Sequence, residues 1–301
     1  MPEREISWTS IADEAERERR IDAALRRVIA QRSRAEGRDI EVPQLDDGDV
    51  WLLTRDEREL AALWILGDES RMVLGDVARA DEDSVTAEVL WAGLRKLASR
   101  RGWTGSVNFT VFPGDAQMRR VASVSKATRV ATKMRADAHT QAAPDDVVLR
   151  SMTGEEFARY NDGLAEDFAQ ELVESGAADT LEAAREESSQ QMSALLPDGL
   201  GSAGQHLWTV RHGDERVGIL WLSHGDDRAF IYDIEMEPAF RGRGFGTQTL
   251  RLAAEKARAW GLPCVALNVF GNNEGAQRLY AREGYTATET QWSAPLGSRS
   301  N

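Results

Sequence analysis

"RGRGFGTQTL", residues 241–250, sets three glycines at alternate positions beside two arginines and then runs into a segment of helical character. The stretch before it, "AFIYDIEME" (229–237), alternates like a strand and is ended by Pro238, which cannot donate to a sheet ladder. Strand, sharp turn and helix therefore follow one another directly. Gly242, Gly244 and Gly246 let the backbone take dihedrals closed to other residues and let a ligand approach without meeting a Cβ atom. The helix expected from about Gly246 to Trp260 offers unpaired amides at the positive end of its dipole, where a phosphate is stabilised. Arg241 and Arg243 add charge able to pair with phosphate oxygens. On these residues alone two readings stay open, a solvated turn or an anion cradle. No G-K-[ST] follows, so it is not a P-loop, and it fits the dinucleotide fingerprint poorly.

The rest of the chain narrows the class. At 301 residues it is long enough for two domains, and 42% apolar with 29% charged residues is the composition of a folded, soluble protein. A formal charge of −13 opposes nucleic-acid binding. No basic, apolar leader opens the sequence, and no uncharged apolar run approaches the ~18 residues that span a bilayer, so a cytoplasmic protein without membrane contact is expected. Cys264 is the only cysteine, which excludes an intramolecular disulfide and a thiolate metal cluster; it sits in the apolar strand "CVALNVF", and no metal is expected. Acid is concentrated in 151–200, where twelve carboxylates face two arginines, Arg159 and Arg185. That segment is either a solvated helix face or an attractor for a cation.

The chain also repeats itself. "DVWLLTRDERELAALWIL" from Asp49 reads like "HLWTVRHGDERVGILWLS" from His206: Trp51 matches Trp208 and Trp64 matches Trp221 at one offset (208 − 51), and Phe112 matches Phe270 one residue later. In the second half the pattern predicts a strand "VVLRSM", two helices, a hairpin across "HGDE", the strand "AFIYDIEME", a helix, the strand "CVALNVF", a helix "EGAQRLYARE" and a closing strand "YTATETQW". Strands bracketing helices make the class α/β or α+β with a mixed sheet. "RADAHTQAAPDD" (135–146) reads as a linker, placing a boundary near residue 143, with domains 1–143 and 144–301.

"RGRGFG" resembles the [Q/R]-x-x-G-x-[G/A] signature of the GNAT superfamily of acyl-CoA-dependent N-acyltransferases, and "LNVFGNNEGAQRLYAREGY" resembles that family's second motif, in the right order and at fitting spacing. The resemblance covers about 146–292. It implies two tandem GNAT-like domains, each a mixed, mostly antiparallel sheet flanked by helices, in a layout similar to that of mycothiol synthases. It further implies acetyl-CoA as co-substrate, lying between the strands "YDIEME" and "CVALNVF". Its pantetheine would pair with backbone near Ile234 and Met236 and its pyrophosphate with amides of Arg241, Gly242, Arg243, Gly244, Phe245, Gly246 and Thr247. Asn268 and Asn273 would bond the pantetheine arm or position the second motif, and Tyr280 would point its hydroxyl at the sulfur.

An alkylamine of pKa ~10.4 needs roughly 4.6 kcal/mol to become neutral at pH 7, so a base is useful. Glu235 and then Asp233, on one face of the strand, are the candidates, with Met236 N–H for the oxyanion and Tyr280 as general acid. Electrostatic attraction of an amine is the other reading of the two carboxylates, and a core position the other reading of Tyr280. His206, His212 and His224 are expected to face solvent. The first half departs from the pattern: its counterpart of the glycine turn is "SVTAEV" (84–89), preceded by Asp81, Glu82 and Asp83, and Ala122 stands where Tyr280 would be. It is expected to be a degenerate copy, structural or walling the acceptor cleft. The expected reaction is acetyl transfer to a primary amine of a small molecule, metabolite or antibiotic, by direct attack in a ternary complex. Peptide Nα or lysine acetylation and a non-catalytic acyl-CoA-binding module are the alternatives. Both a monomer with pseudo-dimeric halves and a homodimer remain open.

Overall fold

The repeat seen in the sequence is also a repeat of hydrogen-bond register. In a computed structural model that describes residues 6–45, 47–67, 71–80, 85–138, 146–175, 177–178 and 180–296, Trp51 lies opposite Leu63 in one hairpin and Trp208 opposite Leu220 in the other. The first hairpin is β2 (Asp49–Arg55) with β3 (Arg58–Gly67), and the second is β8 (Gln205–His212) with β9 (Glu215–His224). The next strands, β4 (Arg71–Arg79) and β10 (Ala229–Met236), pair with β3 and β9 in matching register, Trp64 with Asp76 and Trp221 with Asp233. Each carries a bulge at the same place, Gly75 in one and Tyr232 in the other, where the ladder skips a residue. The helices α2 (Ala87–Arg101) and α6 (Phe245–Ala259), and likewise α3 (Ala116–Val124) and α7 (Glu274–Arg282), are equal in length and 158 residues apart (245 − 87, 274 − 116).

By packing, the chain divides into Met1–Val130 with Thr288–Asn301, and Ala131–Ala287. The first unit adds β1 (Ile6–Ser10), α1 (Glu14–Glu36), β5 (Ser106–Val111) and most of β12 (Thr286–Pro295); its strand order is β1-β2-β3-β4-β5-β12. The second adds most of β6 (Thr128–Asp137), β7 (Val148–Ser151), α4 (Gly154–Glu174), α5 (Leu181–Leu195) and β11 (Cys264–Phe270), in the order β6-β11-β10-β9-β8-β7. Only β4–β5 and β10–β11 are parallel among the pairs described in the two units, so each sheet is mixed and mostly antiparallel. Each unit thus holds the last strand of the other half. β6 lies beside β11 from Ala131 to Asp137, and β12 lies beside β5 from Thr290 to Pro295. The segment read as a linker therefore begins as a strand: Arg135, Ala136 and Asp137 face Ala266, Val265 and Cys264, and the small side chains of Ala136 and Ala138 are buried. The boundary placed near residue 143 lies outside the described residues.

Local chemistry accounts for the elements of the second unit. α4 starts in a capping box, with the Thr153 hydroxyl accepting from Glu156 N–H and the Glu156 carboxylate accepting from Thr153 N–H. β9 is buried from Val217 to Ser223, as a strand covered on both faces must be, and Leu220, Trp221 and Leu222 are among the most enclosed side chains. α6 presents Leu250, Ala253 and Ala257 to the core at helical spacing. Where β9 crosses the end of β10, Gly218 is opposite Met236, and a Cβ there would lie 2.2 Å from the Glu235 carbonyl oxygen. Gly218→Ala is therefore expected to push the Glu235–Met236 backbone aside and to lower stability by about 1–3 kcal/mol, the usual range for overpacking. Denaturant unfolding checks this, and an unchanged midpoint would mean that the strands yield freely.

Candidate active site

The bulge at Tyr232 splits the second sheet. β10 stays paired with β9 as far as Met236, but its parallel pairing with β11 covers only Ala229, Phe230 and Ile231. From Asp233 onward no strand among the described residues lies on the β11 side of β10, which is the geometry an extended ligand needs to add itself to a sheet. Just past Met236 the chain makes a short turn over Pro238–Phe240 and enters the glycine stretch. Gly242 and Gly244 have φ of 75° and 89°, and a Cβ at either would meet nothing within 4 Å. Gly246 is tight instead, its Cβ position 3.2 Å from Leu279 Cδ2, so α6 and α7 approach closely there.

The start of α6 differs from that of every other α-helix among the described residues. Asp13, Thr86, Asp115, Thr153, Thr180 and Asn273 each accept a hydrogen bond with their own side chain from the first turn of their helices. The N-cap of α6 is Gly244, which has no side chain to do so. First-turn amides lack partners within a helix, so those of Phe245, Gly246 and Thr247 are left for a ligand or water. In the first half the matching helix, α2, is closed by the Thr86 hydroxyl, which accepts from Val89 N–H. The acidic run 81–83 and Ser84 lie outside the described residues; Ala122 is buried on α3.

Beside the exposed edge of β10 is a cleft of about 750 Å³ walled by α4, α5 and β10. Ile234, Met236 and Asn273 line it, and so do Asp233 and Glu235. Tyr160 of α4 donates to Asp233 Oδ2 at 2.9 Å. Burial lifts the Asp233 pKa to about 6, the Tyr160 bond opposing and the Glu235 charge adding to the rise. Glu235 is exposed and held by Arg241, whose guanidinium donates to Glu235 Oε1 and to the Met236 carbonyl, both at 2.9 Å. Arg243 lies over the Phe240 ring at 5.4 Å. Phe245 is a core residue, against Phe240 and His212.

Tyr280 is buried on α7 next to Tyr285, with ring centroids 5.8 Å apart. Burial and then the Asp233 and Glu171 charges raise its pKa above the ordinary phenol value, so it is protonated at neutral pH. Asn268 is exposed on β11, opposite Lys133, whereas Asn273 Oδ1 accepts from Ala276 N–H at 3.0 Å as the cap of α7. The histidines depart from expectation. His206 is half-buried against the rings of Trp208 and Trp260, and its pKa is lowered, first by burial. His212 is half-buried too, and of these three His224 alone is exposed. Cys264 is buried, with its thiol pKa raised by burial, as a core residue should be.

The acidic segment divides in two. Glu166 forms an ion pair with Arg185 at 2.7 Å, while Asp167, Glu171 and Glu174 line the cleft. Among these the pKa of Glu171 is lifted to about 7 by loss of solvent and by the charges of Asp233, Asp167, Glu174 and Glu235. Sequence reasoning missed Tyr160, because an aromatic on an amphipathic helix reads as core.

Comparison with known proteins matches residues 168–285 to the Acetyltransferase (GNAT) family. The N-acetyltransferase YdgE of Bacillus subtilis is 36% identical over 145 residues, 46% of this chain and 92% of that protein. Mycothiol acetyltransferase of Corynebacterium glutamicum is 35% identical over 85 residues, 28% of each chain. The crystal structure of a GCN5-related N-acetyltransferase from Sphaerobacter thermophilus is similar in fold over 99% of this chain and 98% of that one, with a TM-score of 0.52 at 15% identity. The last likeness extends the family's fold over the half that the family model leaves out. With a strand edge, an uncapped helix start and a protonated tyrosine gathered in one unit, the chain belongs to the GNAT family of acetyltransferases.

Proposed function

We propose that this acetyltransferase moves acetyl from acetyl-CoA to a primary amine of a small molecule by direct attack in a ternary complex. The observation that carries the reading is the glycine N-cap of α6, open to a ligand and adjoining both the exposed edge of β10 and the acidic cleft. The residues fit the co-substrate: space over Gly242 and Gly244 admits a pyrophosphate, and the amides from Gly242 to Thr247 would hold it. The backbone near Ile234 and Met236 would pair with the pantetheine, with Asn268 and Asn273 beside it. Acetyl-CoA, when bound, supplies an acetyl carbon activated as a thioester.

The chain's own groups do the proton work. Of the two carboxylates, Asp233 is the better base, since a pKa near 6 is closer to working pH than an ordinary carboxylate and Tyr160 holds one oxygen in place. Glu235, held by Arg241, contributes charge that favours the cationic amine. As the amine nitrogen forms its bond to the acetyl carbon and the carbon–sulfur bond breaks, Asp233 takes the N–H proton and Tyr280 gives its proton to the sulfur. Both groups then return to their starting states by exchange with solvent.

Tyr280→Phe is expected to lower kcat by about 10²–10³ with little change in acetyl-CoA affinity, read by steady-state kinetics beside a binding titration. A variant with normal kcat would place another group at the sulfur. The acceptor class is tested by following CoA thiol release over a panel of free amines and, by mass spectrometry, over peptides with free α-amino or lysine groups. Turnover of peptides alone would favour the Nα or lysine reading, and acetyl-CoA binding without turnover would favour a binding module.

A further inference from the structure

Asp167, Glu171 and Glu174 stand at i, i+4 and i+7 of α4, so they form one stripe along the wall of the cleft, while Ala169 and Leu172 bury the helix's other face. Asp233 and Glu235 answer them from β10. Arg241 is the one cationic side chain among the described residues of the lining, and its guanidinium is taken by Glu235 and the Met236 carbonyl. Tyr160 donates to Asp233, and Asn272 reaches Glu174 at 3.5 Å, but neither brings a charge. No described cation pairs with Asp167, Glu171, Glu174 or Asp233. The same cleft is lined by aromatic and apolar side chains, Phe168, Met192, Trp221 and Tyr232, the last two with ring centroids 4.8 Å apart.

A monoamine cannot supply the missing charge. The attacking nitrogen must give up its proton before it has a lone pair to use, so a monoamine in its reactive form is neutral. A second ammonium on the same molecule stays charged throughout, and methylenes between the two nitrogens suit a cleft lined by aromatic and apolar side chains as well as carboxylates. We propose that the acceptor is an unbranched diamine or polyamine, one nitrogen presented to Asp233 and a second ammonium held by the Asp167, Glu171 and Glu174 stripe. The proposal rests on the acetyl transfer argued above and gives its substrate class. An acceptor bearing its own carboxylate, such as a free amino acid, is disfavoured by the same charges.

The test uses the full-length protein and acetyl-CoA, with CoA thiol release measured for 1,4-diaminobutane and spermidine against butylamine and a neutral-tailed amino alcohol of equal length. The expected result is a kcat/KM for the diamine at least about 30-fold above that for butylamine at low salt, the ratio shrinking as ionic strength rises. Glu174→Gln and Asp167→Asn, both isosteric and at exposed positions, should each lower that ratio about tenfold, mainly through KM for the diamine. Turnover of butylamine as fast as of the diamine, or a ratio insensitive to both variants, overturns the diamine assignment and leaves acetyl transfer standing. Normal binding of acetyl-CoA with no thiol release from any amine or peptide overturns acetyl transfer itself, and the diamine with it.

Discussion

Replacing Gly244 with tryptophan is expected to weaken acetyl-CoA binding by at least about 100-fold while leaving the fold in place. The position has φ of 89°, and a Cβ there would meet no atom within 4 Å, so the new side chain starts into open space and its bulk takes the volume that a pyrophosphate would need. The backbone cost of a non-glycine residue in the left-handed region is about 1–2 kcal/mol, too little to unfold a domain of this size. Gly244→Ala separates the two effects, since it carries the same backbone strain with little bulk, and it should lose far less affinity. Isothermal titration of wild type and both variants with acetyl-CoA reads the result, and equal affinities for all three would mean that the co-substrate binds elsewhere.

Asp233→Asn should pull activity and stability in opposite directions. Loss of the proposed base is expected to cost about 10²–10⁴ in kcat. Stability moves the other way because the folded-state pKa, about 6, lies above the ordinary carboxylate value of 3.8. The native protein therefore holds this proton more tightly than the unfolded chain. The stabilisation that follows is complete below about pH 4 and is lost as pH rises through about 6, leaving a half-buried charge that costs roughly 3 kcal/mol at neutral pH. Asparagine keeps an acceptor for the Tyr160 hydroxyl and never ionises. The variant should thus match wild type near pH 4 and exceed it increasingly up to pH 7. Denaturant melts across that range check this, and parallel stability curves would mean that ionising Asp233 costs the fold nothing. In wild type the same titration should make kcat/KM rise with pH through about 6.

Most of the second unit was legible because each of its elements announces its own ends. Pro238 and the glycines mark the β10-to-α6 turn, Asn273 marks the start of α7, and the Trp51/Trp208 and Trp64/Trp221 matches carried the hairpin register from one half to the other. What stayed hidden depends on residues far apart in the chain. The Tyr160–Asp233 bond spans 73 positions, and no local pattern distinguishes it from a core tyrosine beside an unrelated acid. His206 read as a hairpin residue in solvent, yet Trp260, at the end of α6, covers it. The pairing of β6 with β11 was obscured by composition: "RAD" is short, small and charged, like a linker, and its strand character comes only from the neighbour it meets.

That exchange of closing strands bears on how the gene can be divided. A fragment that begins at residue 144 encodes the glycine cradle, Asp233 and Tyr280, but leaves β11 with a bare edge where Ala131–Asp137 belongs, and it retains a tail, from Thr288, that packs with the other unit. Bare edges of this kind invite pairing with foreign strands. Cutting between the halves of the sequence therefore does not cut between the packed units: each half's closing strand is spent on a sheet whose other strands are encoded elsewhere in the chain.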